Sequence, residues 1–174
     1  MFLRTPAAAL VAMCSLLASQ TTPPSGQSSP QLGQPAADFT LPDSTGSPIK
    51  SSAYKGKVIL LDFWATWCTG CKVEIPWYME FQNKYGKDGL TAIGLSMDDD
   101  GWKSVKPFLE EHKLNYPVVI ANEGLANRYG GLPSLPMTLL IDRNGKIAES
   151  HAGIVDKDAF ENKIKALLHE RPAM

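Results

Sequence analysis

Two cysteines, Cys68 and Cys71, stand three residues apart at the end of an apolar run that reads VILLDFWATWCTGCKVEIP from Val58 to Pro76. On a helix, that spacing puts both thiols on one face, a single turn apart. Thiols held so close can exchange between dithiol and disulfide, and the second resolves any mixed disulfide formed at the first. If the pair opens a helix, the unpaired N–H groups and the positive end of the macrodipole favour an anion there. The thiolate is then stabilised and its pKa drawn below the free value of ~8.5. Cys68, nearest the helix start, is therefore expected to attack and Cys71 to resolve. The competing use of a C-x-x-C pair is half a zinc site, and structural zinc needs four ligands. The chain has no second cysteine pair, and His112, His151 and His169 are far apart in sequence. No metal and no bound cofactor is expected.

A thiol pair needs a rigid platform, and the residues around it supply one. Val58 to Trp64 is nearly continuous in apolar residues, as a strand buried on both faces requires. Asp62 is its one polar interruption. A charge in such a strand is expensive, so a carboxyl with a raised pKa is expected there, able to take the proton of Cys71. Glu74 lies one turn beyond Cys71 and has two readings, a second proton acceptor or a solvated first-turn acid. Cys71, Ile75, Tyr78 and Tyr85 form the buried stripe of the helix, which Pro76 bends. Ahead of the strand, the residues around Ala37–Leu41 and Pro48–Lys50 predict a short hairpin, followed by a helical turn at Ser51–Tyr54. Beyond the helix, Leu90–Ser96 predicts a second buried strand. Asp98, Asp99 and Asp100 then read as the N-cap and first-turn acids of a helix carrying Trp102, Val105, Phe108, Leu109 and His112. A strand at Pro117–Ile120, a brief helix capped by Asn122, a buried strand at Met137–Asp142, an Asn144-Gly145 turn, an edge strand at Lys146–Ser150 and a helix capped by Asp156 complete the chain.

The whole is 174 residues with a formal net charge of −1, which fits one domain plus extensions and gives no reason to expect nucleic acid. Arg4 followed by the apolar segment Ala7–Ala18 predicts a secretory signal or N-terminal anchor over residues 1–19, too short for a full membrane span. Met13 directly before Cys14 argues against lipidation. Residues 20–33 are rich in Ser, Gln, Pro and Gly and predict a linker, with the domain over 34–170. Signal removal would take Cys14 with it. The remaining pair closes too short a loop to serve as a structural staple, so a functional dithiol is the stronger reading.

With these residues in view, LLDFWATWCTGCKVEIP resembles the active-site segment of thioredoxins, and in particular the exported TlpA/ResA/DsbE-like thiol-disulfide oxidoreductases. The stretch P-x-x-D-F-x-L-x-D-x-x-G before the main strand is similar to the N-terminal extension of that group and of peroxiredoxins. The resemblance implies a thioredoxin fold, an α/β architecture with a central mixed sheet flanked by helices. It adds an N-terminal β-hairpin extension and a central strand–helix insertion. It further implies a cis bond at Leu135–Pro136 beside the disulfide, a docking surface made with Trp67, and a role in proton transfer for Glu74 or Asp62. Carrying both acids, and Thr69-Gly70 in place of Gly-Pro between the cysteines, departs from the usual pattern.

Implied partners are oxidised exported proteins, apocytochrome c among them, and a membrane electron donor. The implied location is periplasmic or otherwise extracytoplasmic, with membrane attachment only through the N-terminus. The expected reaction is reduction of protein disulfides, with three alternatives. One is a thiol oxidant, since dithiols of this fold range from ~−270 to ~−120 mV. Another is a peroxidase, although its P-x-x-x-T-x-x-C site fails at Leu61 and Ala65. The last is a Cu(I)-binding chaperone, with Met137 near the pair.

Overall fold

The structure is a computed structural model and describes residues 32–170. The signal, Cys14 and most of the linker lie outside the described residues. At the described N-terminus, the Gly33 N–H donates to the Ile147 carbonyl at 2.8 Å, so the last residue assigned to the linker is tied to the domain.

Its centre is the apolar run before the cysteines. Val58–Trp64 forms strand β3 and Leu90–Ser96 strand β4, each buried along its full length; β1 (Thr40–Pro42) and β2 (Pro48–Lys50) precede them. The pair runs parallel, with Asp62 opposite Gly94. Val118–Ile120 (β5) extends this parallel half, while Met137–Ile141 (β6) and Ile147–Ala152 (β7) add antiparallel strands on the other side, giving the order β5-β4-β3-β6-β7. β1 and β2 pair separately as the expected antiparallel hairpin.

The helices are α1 (Thr69–Tyr85), α2 (Trp102–His112), α3 (Glu123–Arg128) and α4 (Lys157–His169). Side chains alternate across the sheet and so feed two apolar layers. Leu60, Trp64 and Leu140 meet α1, α2 and α4 through Cys71, Ile75, Tyr78, Phe108, Phe160 and Ile164. Leu61, Phe63, Met137 and Leu139 instead meet Phe39 and the α3 residues Leu125 and Ala126. The Asn122 and Asp156 side chains cap α3 and α4 as expected, accepting from Leu125 N–H and Ala159 N–H. A carboxylate clamp joins α1 to α4: Glu161 accepts from Lys84 Nζ at 2.6 Å and from the Tyr85 hydroxyl.

Two expectations are corrected. Helix α2 begins at Gly101 with no side-chain cap and no acid in its first turn. Gly101 has φ 56°, a conformation open to glycine, and the acids before it support the turn through backbone carbonyls and through Asp100 Oδ2, which accepts the Ser104 hydroxyl at 2.8 Å, rather than by capping a first-turn N–H. The Asp98 carboxylate instead points back to the loop after β3, as described below. The edge strand also runs later than expected, through Ala152, because its pairing with β6 continues to Met137↔Ala152.

Gly94 has a packing role that its neighbours define. A Cβ at this position would lie 2.9 Å from Trp64 Nε1 and 3.1 Å from Val118 Cγ2, so glycine alone lets the buried indole cross β4. Substituting Gly94→Ala is expected to lower unfolding stability by about 1–3 kcal/mol through overpacking, measured by denaturant unfolding. A loss below ~0.5 kcal/mol would show that the indole can move aside.

Candidate active site

Strand β3 ends at Trp64, and the Ala65–Cys68 turn is closed by a 3.1 Å bond from Cys68 N–H to the Ala65 carbonyl. Helix α1 starts at once, with Cys68 as its N-cap: the Cys68 Sγ accepts from Cys71 N–H at 3.1 Å. The sulfur therefore sits where N-cap oxygens sit, against the free N–H groups of the first turn. Cys68 and Cys71 are joined as a disulfide, with Cα atoms 5.3 Å apart. Cys71 is fully buried and Cys68 retains 5% exposure, so a partner can reach only the first sulfur without distorting the helix.

Beside the disulfide, the Leu135–Pro136 peptide bond is cis. Pro136 packs against the helix start so closely that a Cβ on Gly70 would lie 3.0 Å from its Cδ and 3.2 Å from Ile154 Cγ1. The second intervening residue of the motif is thus held small by its neighbours. Trp67 is 67% exposed and Ile154 49%, and they give the rim of the disulfide an apolar surface. Leu135 lies beneath, half-buried and packed against both layers of the core.

Both predicted carboxylates lie inside the protein, each with no exposed surface. Asp62, between Leu60 and Trp64 in the period-two alternation, faces the cysteine layer. Among the described residues, neither of its oxygens has a hydrogen-bond partner. Burial pushes its carboxyl well above the usual range, and the neighbouring charge of Glu74 pushes it further. Glu74 is no solvated first-turn acid. Its Oε1 accepts the Val155 N–H at 2.7 Å across 81 residues, while Oε2 is unpartnered. Burial raises its pKa too, opposed by the Val155 N–H, the Tyr78 hydroxyl and the ring of His151.

The Tyr78 hydroxyl shares a 2.8 Å bond with Thr138 Oγ1, and Thr138 is the cross-strand partner of Asp62. The tertiary structure therefore brings Asp62 from β3, Glu74 and Tyr78 from α1, and Thr138 from β6 onto the side of the sheet that carries the disulfide. Burial therefore makes both carboxyls hold their protons more tightly than solvated acids do, and the charge of Glu74 adds to this at Asp62.

Residues overlooked by the sequence reading are Ile154, Val155 and Thr138. Ile154 and Val155 sit in the loop between β7 and α4 and Thr138 on β6, and only strand pairing and the packing of that loop over α1 reveal them. Met137, the residue that favoured copper, points into the opposite apolar layer. Among the described residues, no group of three or more His, Cys, Asp or Glu could hold a metal ion.

Comparison with known proteins bears on this geometry. Residues 32–150 match the model of the AhpC/TSA family. Over 138 residues the chain is 34% identical to the thiol-disulfide oxidoreductase ResA of Bacillus thuringiensis, covering 79% of each chain. The thioredoxin-like protein YneN of Bacillus subtilis is 33% identical, over 77% of this chain and 79% of its own. Among solved structures, a Chlorobium tepidum protein assigned as the thiol:disulfide interchange protein DsbE superposes with a TM-score of 0.75 and 36% identity. It aligns with 80% of this chain and 99% of its own.

The buried, unpartnered Asp62 makes a stability prediction whose sign follows from its raised pKa. Such a carboxyl carries no ionisation penalty on folding while protonated in both states, and that penalty grows as pH rises above its ordinary value of 3.8. Replacing Asp62→Asn should therefore stabilise the oxidised protein at pH 7 by about 1–3 kcal/mol, with a smaller gain near pH 4. Denaturant unfolding at the two pH values measures it. A variant less stable than the parent at pH 7 would mean that Asp62 is satisfied in the folded state.

Proposed function

The chain belongs to the AhpC/TSA family, in the thioredoxin-like branch of ResA- and DsbE-type thiol-disulfide oxidoreductases, and on that premise we propose that it reduces disulfides of exported proteins. It is a thiol-disulfide oxidoreductase of thioredoxin fold; the direction, substrates and location are the proposal. The observation that carries it is the Cys68–Cys71 disulfide at the head of α1, with the second sulfur buried on the same side of the sheet as two carboxyls that resist ionisation.

In the dithiol form, the Cys68 thiolate attacks one sulfur of a substrate disulfide, breaking that bond and releasing one substrate thiolate. The result is a mixed disulfide at Cys68. Cys71 then gives its proton to Glu74 or Asp62 in its carboxylate form, whose raised pKa makes it a competent base, and attacks the Cys68 Sγ. This releases the second substrate thiolate and leaves the Cys68–Cys71 disulfide. Two electrons pass from the cysteine pair to the substrate, and the carboxyl returns its proton to a leaving thiolate. Glu74 is the better placed of the two acids, since it shares the helix of Cys71 and its Oε1 is oriented by the Val155 N–H. Asp62, buried on the same side of the sheet, offers a second resting place for the proton. Trp67, Ile154 and the Leu135–Pro136 edge receive the apolar part of a substrate beside its disulfide.

The N-terminal Arg4 and Ala7–Ala18 pattern supports export to the periplasm or its equivalent, with or without retention of an N-terminal anchor. There the oxidised enzyme requires a two-electron dithiol donor at the membrane to be recycled, and apocytochrome c is one fitting class of substrate. ResA, DsbE and YneN are the names of relatives and do not themselves name this chain's substrate. Among the described residues, no helix is long and apolar enough to cross a membrane.

Equilibration in defined thiol/disulfide buffers, followed by Trp64 and Trp67 fluorescence, tests the direction. A two-electron transition below ~−200 mV is expected for a reductant, and one near ~−120 mV would make the protein an oxidant instead. Trapping tests the roles. Cys71→Ser should accumulate a mixed disulfide with a model substrate, and Cys68→Ser should accumulate none. Glu74→Gln should slow resolution of that intermediate by about 10²-fold, as expected for removal of a general base. If only Asp62→Asn slows it, the proton goes to Asp62.

A further inference from the structure

The first acid of the Asp98-Asp99-Asp100 run is buried, yet its side chain caps no helix and, among the described residues, faces no cation at ion-pair distance. Its carboxylate joins two segments, the turn at Thr66 and the end of β4 at Ser96. Oδ1 and Oδ2 accept the Thr66 N–H at 3.2 and 3.0 Å, and Oδ1 also accepts the Thr66 hydroxyl at 2.5 Å. Oδ2 accepts the Ser96 hydroxyl at 2.9 Å, and Ser96 Oγ in turn accepts the Asp98 N–H at 3.2 Å. Thr66 is 32 residues away in sequence and directly precedes Trp67 and Cys68. The Met97 N–H donates to the Trp64 carbonyl at 2.8 Å, so the end of β4 grips the chain just before this turn as well.

We propose that Asp98 is a positioning residue for the reaction: bonded to Thr66 and Ser96, its carboxylate fixes the turn that delivers Trp67 to the docking surface and Cys68 to the helix N-cap. The physical case is one of leverage. Ala65–Cys68 is a single turn, and its Cys68 N–H already bonds to Ala65, so fixing Thr66 leaves it little freedom. The Cys68 sulfur gains from the Cys71 N–H only while the cap geometry holds. A buried carboxylate that accepts several hydrogen bonds is a stiff anchor, since its charged form is matched by donors. Ser96 links that anchor to the fully buried strand β4 rather than to a loop. This inference rests on the assignment of Cys68 as the attacking thiol.

Asp98→Asn and Asp98→Ala remove the same charge, but only asparagine keeps an acceptor for Thr66 and a side chain that fills the site. Comparing the two therefore separates positioning from the field of the charge. The readouts are the pH dependence of iodoacetamide alkylation of the reduced full chain, with the modified cysteine identified by mass spectrometry, and the second-order rate with a model disulfide. Alanine is expected to react about tenfold more slowly than asparagine, within the ~10²-fold that a misplacement of about 1 Å can cause. Its alkylation midpoint should also lie at higher pH than that of asparagine.

Thr66→Val, which removes one hydroxyl and keeps the volume, should shift both readouts the same way by a smaller factor. It carries the test if Asp98→Ala does not fold. Equal behaviour of Asp98→Ala and Asp98→Asn would overturn the proposal, and so would a Thr66→Val profile identical to that of the parent. Labelling of Cys71 in place of Cys68 in the parent would remove the attacking-thiol assignment and this inference together. Labelling at Cys68 with indifferent variants removes the inference alone.

Discussion

A sulfur seated as the N-cap of α1 is the contact around which the rest of this molecule is arranged. The first turn of any helix leaves N–H groups without intrahelical partners, and a thiolate satisfies them as an oxygen would while gaining from the dipole. Keeping the sulfur there requires the preceding strand, the turn and the helix to be rigid with respect to one another. The full burial of β3 and β4 provides the first. The Ala65–Cys68 bond and the Asp98 anchor provide the second. Packing of Tyr78, Phe81 and Phe160 between α1 and α4 provides the third. Gly70, pressed by Pro136 and Ile154, shows how little space remains around the cap.

Beneath this cap the fold tolerates something a stability-driven core would not contain. Among the described residues, Asp62 has two buried oxygens without partners, and Glu74 has one. Each is a penalty in a medium of low dielectric, and each raises the pKa of its own group. Carboxyls of this kind keep their protons more readily than solvated ones, which is the property the proposed proton transfer from Cys71 uses. The Glu161 clamp makes the contrast plain. There a carboxylate is met by Lys84 and Tyr85, its pKa drops to about 2, and it only ties α4 to α1. Carboxyls in one small domain thus serve opposite ends because their partners differ.

Much of this was legible in the residue pattern. The buried strand, the helix opening on a C-x-x-C pair, the hairpin, the caps at Asn122 and Asp156 and the stripe on α1 each follow from local periodicity and spacing. The acid run at Asp98 misled because three consecutive carboxylates before a helix look like a cap. Sequence carries no sign that the first of them turns away to a segment 32 residues earlier. Glu74 was undecided for a similar reason. A first-turn acid is usually solvated, and only the chain that returns at Val155 closes over it.

The sequence by itself determined the reactive chemistry. The identity and spacing of Cys68 and Cys71 require two thiols one helical turn apart, and an aspartate among apolar neighbours requires a carboxyl that resists ionisation. These properties are local, set by a few consecutive side chains and the period of the element that holds them. Tertiary structure decided which groups share the site. Thr138 stands across from Asp62, Val155 orients Glu74, Ile154 and Pro136 close over Gly70, and Asp98 holds Thr66. Each of these meetings joins residues from separate elements. The register of β3 with β4 and β6, and the packing of the later loops over α1, place them, and no short window of sequence encodes either.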